Sequence, residues 1–310
     1  MLASLISASK YLSIMIPSMI LGVIGVNLVV SLGFVEKLSF IARPVVSLGH
    51  LRDECGLSFI TAFGSPTAAN SMLVELYNKG NIEKRELFIA SLANSFPAII
   101  MHWRAMLPIL IPLLGMTGLA YFGILVVVGL VKTAFVLSVG RLMLPKRDHE
   151  CMEVAPKVRP EFWPALIEGI RNSKNIIRRI VMITIPITAV TFVLIDLGAF
   201  EALASYLKGI TKYLPIPTEG VTIIGAQFVG NVAAYTVASN LLTKGVLAGK
   251  DIVMILLVGN VLTGIVGLRY LIPYYVGIFG PKIGTQLMVI STALRQGLII
   301  MAIVALFLMR

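Results

Sequence analysis

Eight residues of this chain recur at a constant offset of 165. Gly33, Glu36, Phe63, Lys79, Gly80, Arg104, Pro108 and Gly115 reappear as Gly198, Glu201, Phe228, Lys244, Gly245, Arg269, Pro273 and Gly280, and nearly everything between them is apolar. Such a chain has to fold one supersecondary plan twice and pack the copies together. The stretch Phe63-Gly64-Ser65-Pro66-Thr67-Ala68-Ala69 falls opposite Phe228-Val229-Gly230-Asn231-Val232-Ala233-Ala234. Paired apolar segments, each interrupted by Gly or Pro at the same place, point in a membrane chain to a transporter whose site lies where the halves meet.

The membrane expectation comes from the shortage of charge. With 57% hydrophobic and 13% charged residues, the chain has too little polar surface to cover a soluble globule of its length. Charge-free runs cover 11–34, 55–74, 87–103, 105–131, 180–195, 220–243, 252–268 and 296–309. A helix crosses ~30 Å of hydrocarbon with ~20 residues, so most of these runs can span. The first has no basic cluster before it, outruns an ordinary signal-peptide core and lacks a small-residue cleavage site after it, so it reads as a membrane helix. The expected location is the cell membrane, multi-pass, with lipid as the surrounding partner.

The net charge of +11 raises the question of nucleic acid, and the placement of the charge answers it. Arg141, Lys146, Arg147, Lys157, Arg159, Arg171, Lys174, Arg178 and Arg179 crowd one stretch, which the positive-inside rule makes cytoplasmic without a nucleic-acid partner. Inside it lies the only linker-like segment, residues 145–160, short, charged and flanked by prolines. The expected domains are a first repeat at 1–144, this cytoplasmic linker, and a second repeat at 161–310. Cys55 and Cys151 are too few for a disulfide framework and are expected as free thiols. Neither GxxxxGK[ST] nor GxGxxG occurs, so no nucleotide cofactor is expected and transport would be driven by gradients or by another subunit.

Within each half the same parts follow in order. A long apolar helix leads to a charged interfacial stretch (36–52 and 201–213), then the broken segment, then a helix bounded by Glu86 and Arg104 or by Asp251 and Arg269, then a last apolar helix. If segments 55–74 and 220–243 are hairpins that leave on the side they enter, each half crosses three times and the repeats are inverted. If they are ordinary spans, the repeats are parallel. Loop charges fit both arrangements about equally well.

The breaks favour the hairpin and supply the candidate site. Pro66 removes a backbone donor and disfavours helical geometry at Ser65, Gly64 permits a reversal, and Pro is tolerated in the first turn of the half-helix that follows. Unpaired backbone groups at membrane depth persist only beside a polar cavity or inside protein, and a helix start there attracts an anionic or strongly polar group. Ser65, Thr67 and Asn70 flank the first break; Gln227, Asn231, Tyr235 and Thr236 flank the second. Close packing of small residues is the plainer alternative for either half alone.

Ionisable residues in apolar runs are functional candidates by default. Lys132 lies within a helix expected over 116–139, has no copy at the repeat offset, and is too deep to reach water easily; an anionic solute would suit it. Arg295 and Lys282 are expected to snorkel. Arg104 and Arg269, duplicated and each followed by Pro four residues on, are candidates for interface anchoring or gating. No His, Cys or carboxylate spacing suits a metal. No nucleophile with a base partner supports an enzyme.

The segments FGSPTAANSM and FVGNVAAYTV, each followed by a helix interrupted near Asn94-Ser95-Phe96-Pro97 or Gly259-Asn260, resemble the Gate, or nucleoside-recognition, domain family. Ferrous-iron transporter gates, sporulation membrane proteins and relatives of concentrative nucleoside transporters belong to it. The resemblance covers close to the whole chain. It implies an all-α polytopic membrane protein of two inverted repeats, each with a re-entrant helical hairpin and a broken transmembrane helix. The hairpin tips would be Gly64, Ser65, Pro66 and Thr67, and Gly230 and Asn231; the unwound helix positions would be Asn94, Ser95, Asn260 and Thr263. Ser65 stands where iron-transporter gates carry a cysteine, and the tips lack the acidic residue that nucleoside carriers would suggest. The function expected is alternating-access transport of a small polar solute, anionic or nucleoside-like. The alternatives are a divalent-metal permease of the ferrous-iron kind, or a gate module working as a homodimer or with a partner membrane protein.

Overall fold

The computed structural model describes residues 42–146, 161–197 and 216–309, together with scattered helical positions between 6 and 28. Most of the first apolar run, the 201–213 segment and linker residues 147–160, Cys151 among them, lie outside the described residues. Every regular element described is a helix, with no strand among the described residues. The first half holds α1 (Ala42–Gly49), α2 (Asp53–Gly64), α3 (Pro66–Asn78), α4 (Lys84–Ala93), α5 (Ser95–Met101) and α6 (Trp103–Met143). The second holds α7 (Phe162–Asp196), a single 3-10 turn (Thr218–Gly220), α8 (Val221–Val229), α9 (Asn231–Thr243), α10 (Gly249–Leu262) and α11 (Gly264–Leu308).

The duplication recurs in the backbone. Helices α2 and α3 pack against each other across a break at Ser65, and α8 and α9 do so across Gly230, 165 residues on. Both α3 and α9 stop in the same way. Gly80 (φ 75°) and Gly245 (φ 68°) take the left-handed conformation, and the amides of Asn81 and Val246 bond back to Leu76 O at 2.9 Å and Leu241 O at 3.0 Å. These bonds, with those from the glycine amides to Tyr77 O and Leu242 O, close a Schellman motif that satisfies the orphan carbonyls. The last helices bend at a second pair, Gly115 (φ 53°, ψ −129°) in α6 and Gly280 (φ 76°, ψ 168°) in α11. Only glycine enters those regions without strain, which is why these four positions repeat as glycine.

The ends of the first hairpin meet. Arg52, just before α2, donates from Nη1 to the carbonyl of Asn81, just after α3. Arg52 Nε also lies 3.4 Å from Glu86 Oε2, and Glu86 closes a capping box at the start of α4 by accepting from Glu83 N at 2.9 Å. Arms of 12 and 13 residues reach about 18–20 Å as helix.

Among the described residues two apolar cores form, and each borrows the other half's last helix. Leu110, Leu113, Tyr121 and Val128 of α6 lie in the core of the second half, whereas Val136 and Leu137 lie in that of the first. In α11 the order reverses: Phe279 and Leu287 join the first core, Ile299 and Ile303 the second. Likewise α3 packs on α11, and α9 on α6.

Segments Trp103–Met143 and Tyr274–Leu308 are long and apolar enough to cross a membrane. Only 39% and 17% of their most apolar windows are buried within the protein, so Val127, Phe135, Val289, Met301 and Val304 face outward. A core helix of a water-soluble domain would cover that surface. Neither charge-bounded segment is one continuous helix: the first breaks at Asn94 and again at His102, the second at Thr263.

Candidate functional site

The breaks in α2–α3 and α4–α5 place polar side chains on a helix bundle that is otherwise apolar. Gly64 does not make the reversal, contrary to the sequence expectation, since it is not among the left-handed glycines. Ser65 does so in an extended conformation (φ −151°, ψ 103°) that any residue can adopt. Its hydroxyl accepts from Ala68 N at 3.2 Å, so it caps α3 while Pro66 occupies the first helical position, where its missing N–H costs nothing. Gly64 and Thr67 are exposed at the tip and Asn70 is buried one turn further on. Gly230 (φ 162°) is likewise extended, and Asn231 is exposed at the start of α9.

Asn94 is the hub of the first break. Its Nδ2 donates to Ser58 Oγ at 3.1 Å and to Asn70 Oδ1 at 3.2 Å. Ser58 donates onward to Ala69 O at 3.0 Å, and Asn70 Nδ2 donates to Tyr274 OH at 3.0 Å. One amide thereby ties α2, α3 and the opposite repeat's α11 to the broken helix. Buried polar groups persist in apolar surroundings only when paired in this way.

Ser95, next along, carries the buried cation. Lys132, 3% exposed, donates from Nζ to Ser95 Oγ at 2.8 Å and to Ser291 Oγ at 2.7 Å. Tyr275 OH donates to the same Ser291 at 3.1 Å. Among the described residues Lys132 has no carboxylate partner, unlike Arg52 and Lys79, which pair with Glu86 and Glu75. Thr133, beside Lys132, donates to Ala93 O at 3.0 Å and so takes up a carbonyl released by the break.

At the second break the geometry follows the same plan with the groups moved. Asn260 lies at Ser95 plus 165 but is still helical, and the chain breaks at Thr263, whose hydroxyl donates to Gly259 O at 2.7 Å. Asn260 Nδ2 donates to Tyr121 OH at 3.3 Å, and its Oδ1 accepts from Arg295 Nη2 at 3.4 Å. Arg295 is therefore the counterpart of Lys132, set two residues short of the strict offset, where Gly297 stands. The sequence reading, which expects Arg295 to snorkel, does not pair it with Lys132. Asn94's own counterpart is Gly259, and the vacated space holds an amide from the hairpin: a Cβ on Gly259 would run into Gln227 Oε1. Gln227 is 5% exposed and donates weakly to Leu256 O at 3.4 Å, while its Oε1 has no partner.

The hairpins reach across symmetrically. Asn70 of α3 meets Tyr274 of α11, and Tyr235 of α9, Asn70's counterpart, packs edge-on against Tyr121 of α6 with ring centroids 6.3 Å apart. The structure thus draws Asn70 with Asn94, Ser95 with Lys132, and Asn260 with Arg295 into three hydrogen-bonded networks and leaves the tips Gly64, Pro66, Thr67, Gly230 and Asn231 exposed or half-buried. Arg104 is half-buried with its Nε unpartnered; Arg269 lies in α11, and its side chain is outside the described residues. Ser58, Tyr121, Tyr274, Tyr275 and Ser291 escaped the sequence reading. A hydroxyl in an apolar run is common, and only Tyr274-Tyr275, after the repeated Pro273, carried a signal that could have been used.

No family model matches the chain, and no solved structure matches it. Three proteins of Methanocaldococcus jannaschii do, each named as an uncharacterized protein. MJ1556 is 35% identical over 283 residues, covering 90% of this chain and 89% of its own. MJ0871 is 28% identical over 274 residues, covering 87% and 84%, and MJ0880 is 25% identical over 294, covering 93% and 95%. With more than a third of positions shared along nearly the whole of both chains, this protein belongs to the same family as MJ1556.

Proposed function

We propose that the protein is a multi-pass membrane transporter, of the Gate type, that carries a small polar solute by alternating access. Residues 1–144 and 161–310 are its two inverted repeats, joined by a cytoplasmic linker at 145–160. The solute, an anion first and a nucleoside-like compound second, binds between the two breaks. Inversion is supported by the opposite order in which α6 and α11 pass through the two cores: repeat-related helices that run in opposite senses belong to inverted repeats. The re-entrant hairpin is supported by the Arg52–Asn81 contact at its mouth and by arms of about 20 Å, too short for ~30 Å of hydrocarbon.

The observation that carries the solute reading is Lys132. An ammonium group held only by hydroxyls at mid-helix leaves an uncompensated charge whose burial costs several kcal/mol. A bound anion removes that cost, so the site is stabilised by loading. No observation favours the divalent-metal alternative: among the described residues, no three of His, Cys, Asp and Glu gather.

The test is uptake into proteoliposomes of a charged compound and its uncharged analogue by wild type and Lys132→Met. Selective loss of the charged compound is expected. Equal losses of both, or no loss of either, would leave Lys132 a packing residue and sink the anion reading.

A further inference from the structure

The transporter reading leaves open how many charges its anion carries, and the two cations decide it. Lys132 and Arg295 come from the last helices of opposite repeats, and each grips the side chain at the same repeat position of a broken helix, Ser95 or Asn260. Arg295 lies about 22 Å along α11 from the Gly280 bend and Lys132 about 25 Å along α6 from Gly115, at ~1.5 Å per residue, so both sit near mid-helix. Ser291, which Lys132 also grips at 2.7 Å, stands four residues before Arg295 on α11, so the two lie on one face about one helical turn apart. The two charges thus belong to one centre. Among the described residues neither forms an ion pair. Unlike Lys132, Arg295 is exposed, and an exposed guanidinium in the middle of a spanning helix has to face a polar path.

We infer that this centre takes a dianion, one whose oxygens are shared between the Lys132 ammonium and the Arg295 guanidinium, with the hydroxyls of Ser95, Ser291, Tyr275 and Tyr121 as neutral donors. This rests on the transporter reading and narrows its solute to a small dianionic oxyanion, a phosphate monoester or a dicarboxylate. Two like charges at one site repel, and a monoanion neutralises only one of them. A planar guanidinium offers a fork for two oxygens, whereas the ammonium acts as a point charge, so a solute with spread negative charge engages both. The Arg295–Asn260 bond at 3.4 Å is long enough to be exchanged for a stronger, charge-assisted partner.

Calorimetry on the full chain in detergent at pH 8, with probes matched in shape, tests this. The pairs are methyl phosphate against dimethyl phosphate, and succinate against monomethyl succinate; they separate the two sources of a dianion. At least one dianion is expected to bind tenfold or more tighter than its monoanion. Arg295→Gln should cut dianion affinity at least tenfold and erase the discrimination, and Arg295→Lys, which keeps the charge and loses the fork, should fall between. Size-exclusion profiles matching wild type establish that the variants fold. No discrimination by wild type, or discrimination that survives Arg295→Gln, overturns the dianion inference. If monoanions still bind in a Lys132-dependent way, the transporter reading survives that result. If no anion binds while a neutral solute is taken up, the anion reading falls with it.

Discussion

The two repeats share a backbone and divide their chemistry differently. In the first, the amide sits on the broken helix (Asn94), the cation is buried (Lys132), and the hairpin helix reaches its neighbour through Asn70. In the second, the broken helix carries Gly259, the amide comes from the hairpin (Gln227), the cation is exposed (Arg295), and the hairpin helix reaches across through Tyr235. Duplication therefore preserved what the chain path needs, the left-handed glycines and the breaks, while the polar groups moved between elements that face the same space. A site between unlike halves can hold a solute with unlike ends.

The largest effect expected separates the two cations. Lys132→Met should lower affinity for a charged solute about a hundredfold, the scale of losing one member of a desolvated charge pair. Arg295→Met, at an exposed group with a longer bond, should cost about tenfold, because solvent screens it. Equal losses, measured by calorimetry with the same probe, would break the contrast between a buried and an exposed cation.

Next in size is the relocated amide. Gly259→Ala should destabilise by about 2 kcal/mol, since its Cβ meets the Gln227 amide, which then has to swing away within a buried site. Adding Gln227→Ala should restore most of the loss. Thermal melts of the single and double variants check this, and failure of the rescue would mean that Gln227 does not occupy Asn94's place. Gly115→Ala and Gly280→Ala should each cost about 2 kcal/mol for backbone conformation alone, because no atom lies within 4 Å of the added Cβ at either site. A large difference between them would show that the two bends are not equivalent.

The smallest effect belongs to an exposed pair that only the first hairpin has. Lys79, bonded to Glu75 at 2.6 Å, holds that carboxyl below the usual glutamate range; the second repeat has Asn240 and Lys244 there. The pair's contribution is complete above the ordinary glutamate pKa and fades as pH falls through the lowered folded value. Being fully exposed, it should leave the melting temperature of Glu75→Gln unchanged within error at neutral pH.

The sequence made legible those features that depend on one residue type at one backbone position. Gly80, Gly115, Gly245 and Gly280 repeat because a positive φ admits little else, and the breaks at Ser65 and Asn94 announced themselves through Pro66 and the flanking polar residues. What escaped depends on side chains that reach between helices. Thr263 ends its helix one turn after the repeat position, because Asn260 is held by Tyr121 and Arg295 while still helical. Arg295 answers Lys132 from two residues away, which a fixed offset cannot register, and Tyr274 meets Asn70 across 204 residues.

The most direct test of the paired, inverted repeats is the sidedness of their two matching turns. With Cys55 and Cys151 replaced by serine, Lys79→Cys and Lys244→Cys are labelled in sealed, oriented vesicles by a reagent that does not cross the bilayer. The account predicts labelling of the Lys79 position from the side of the basic 141–179 segment, the cytoplasm, and of the Lys244 position from the opposite side. Labelling of both from one side would contradict it.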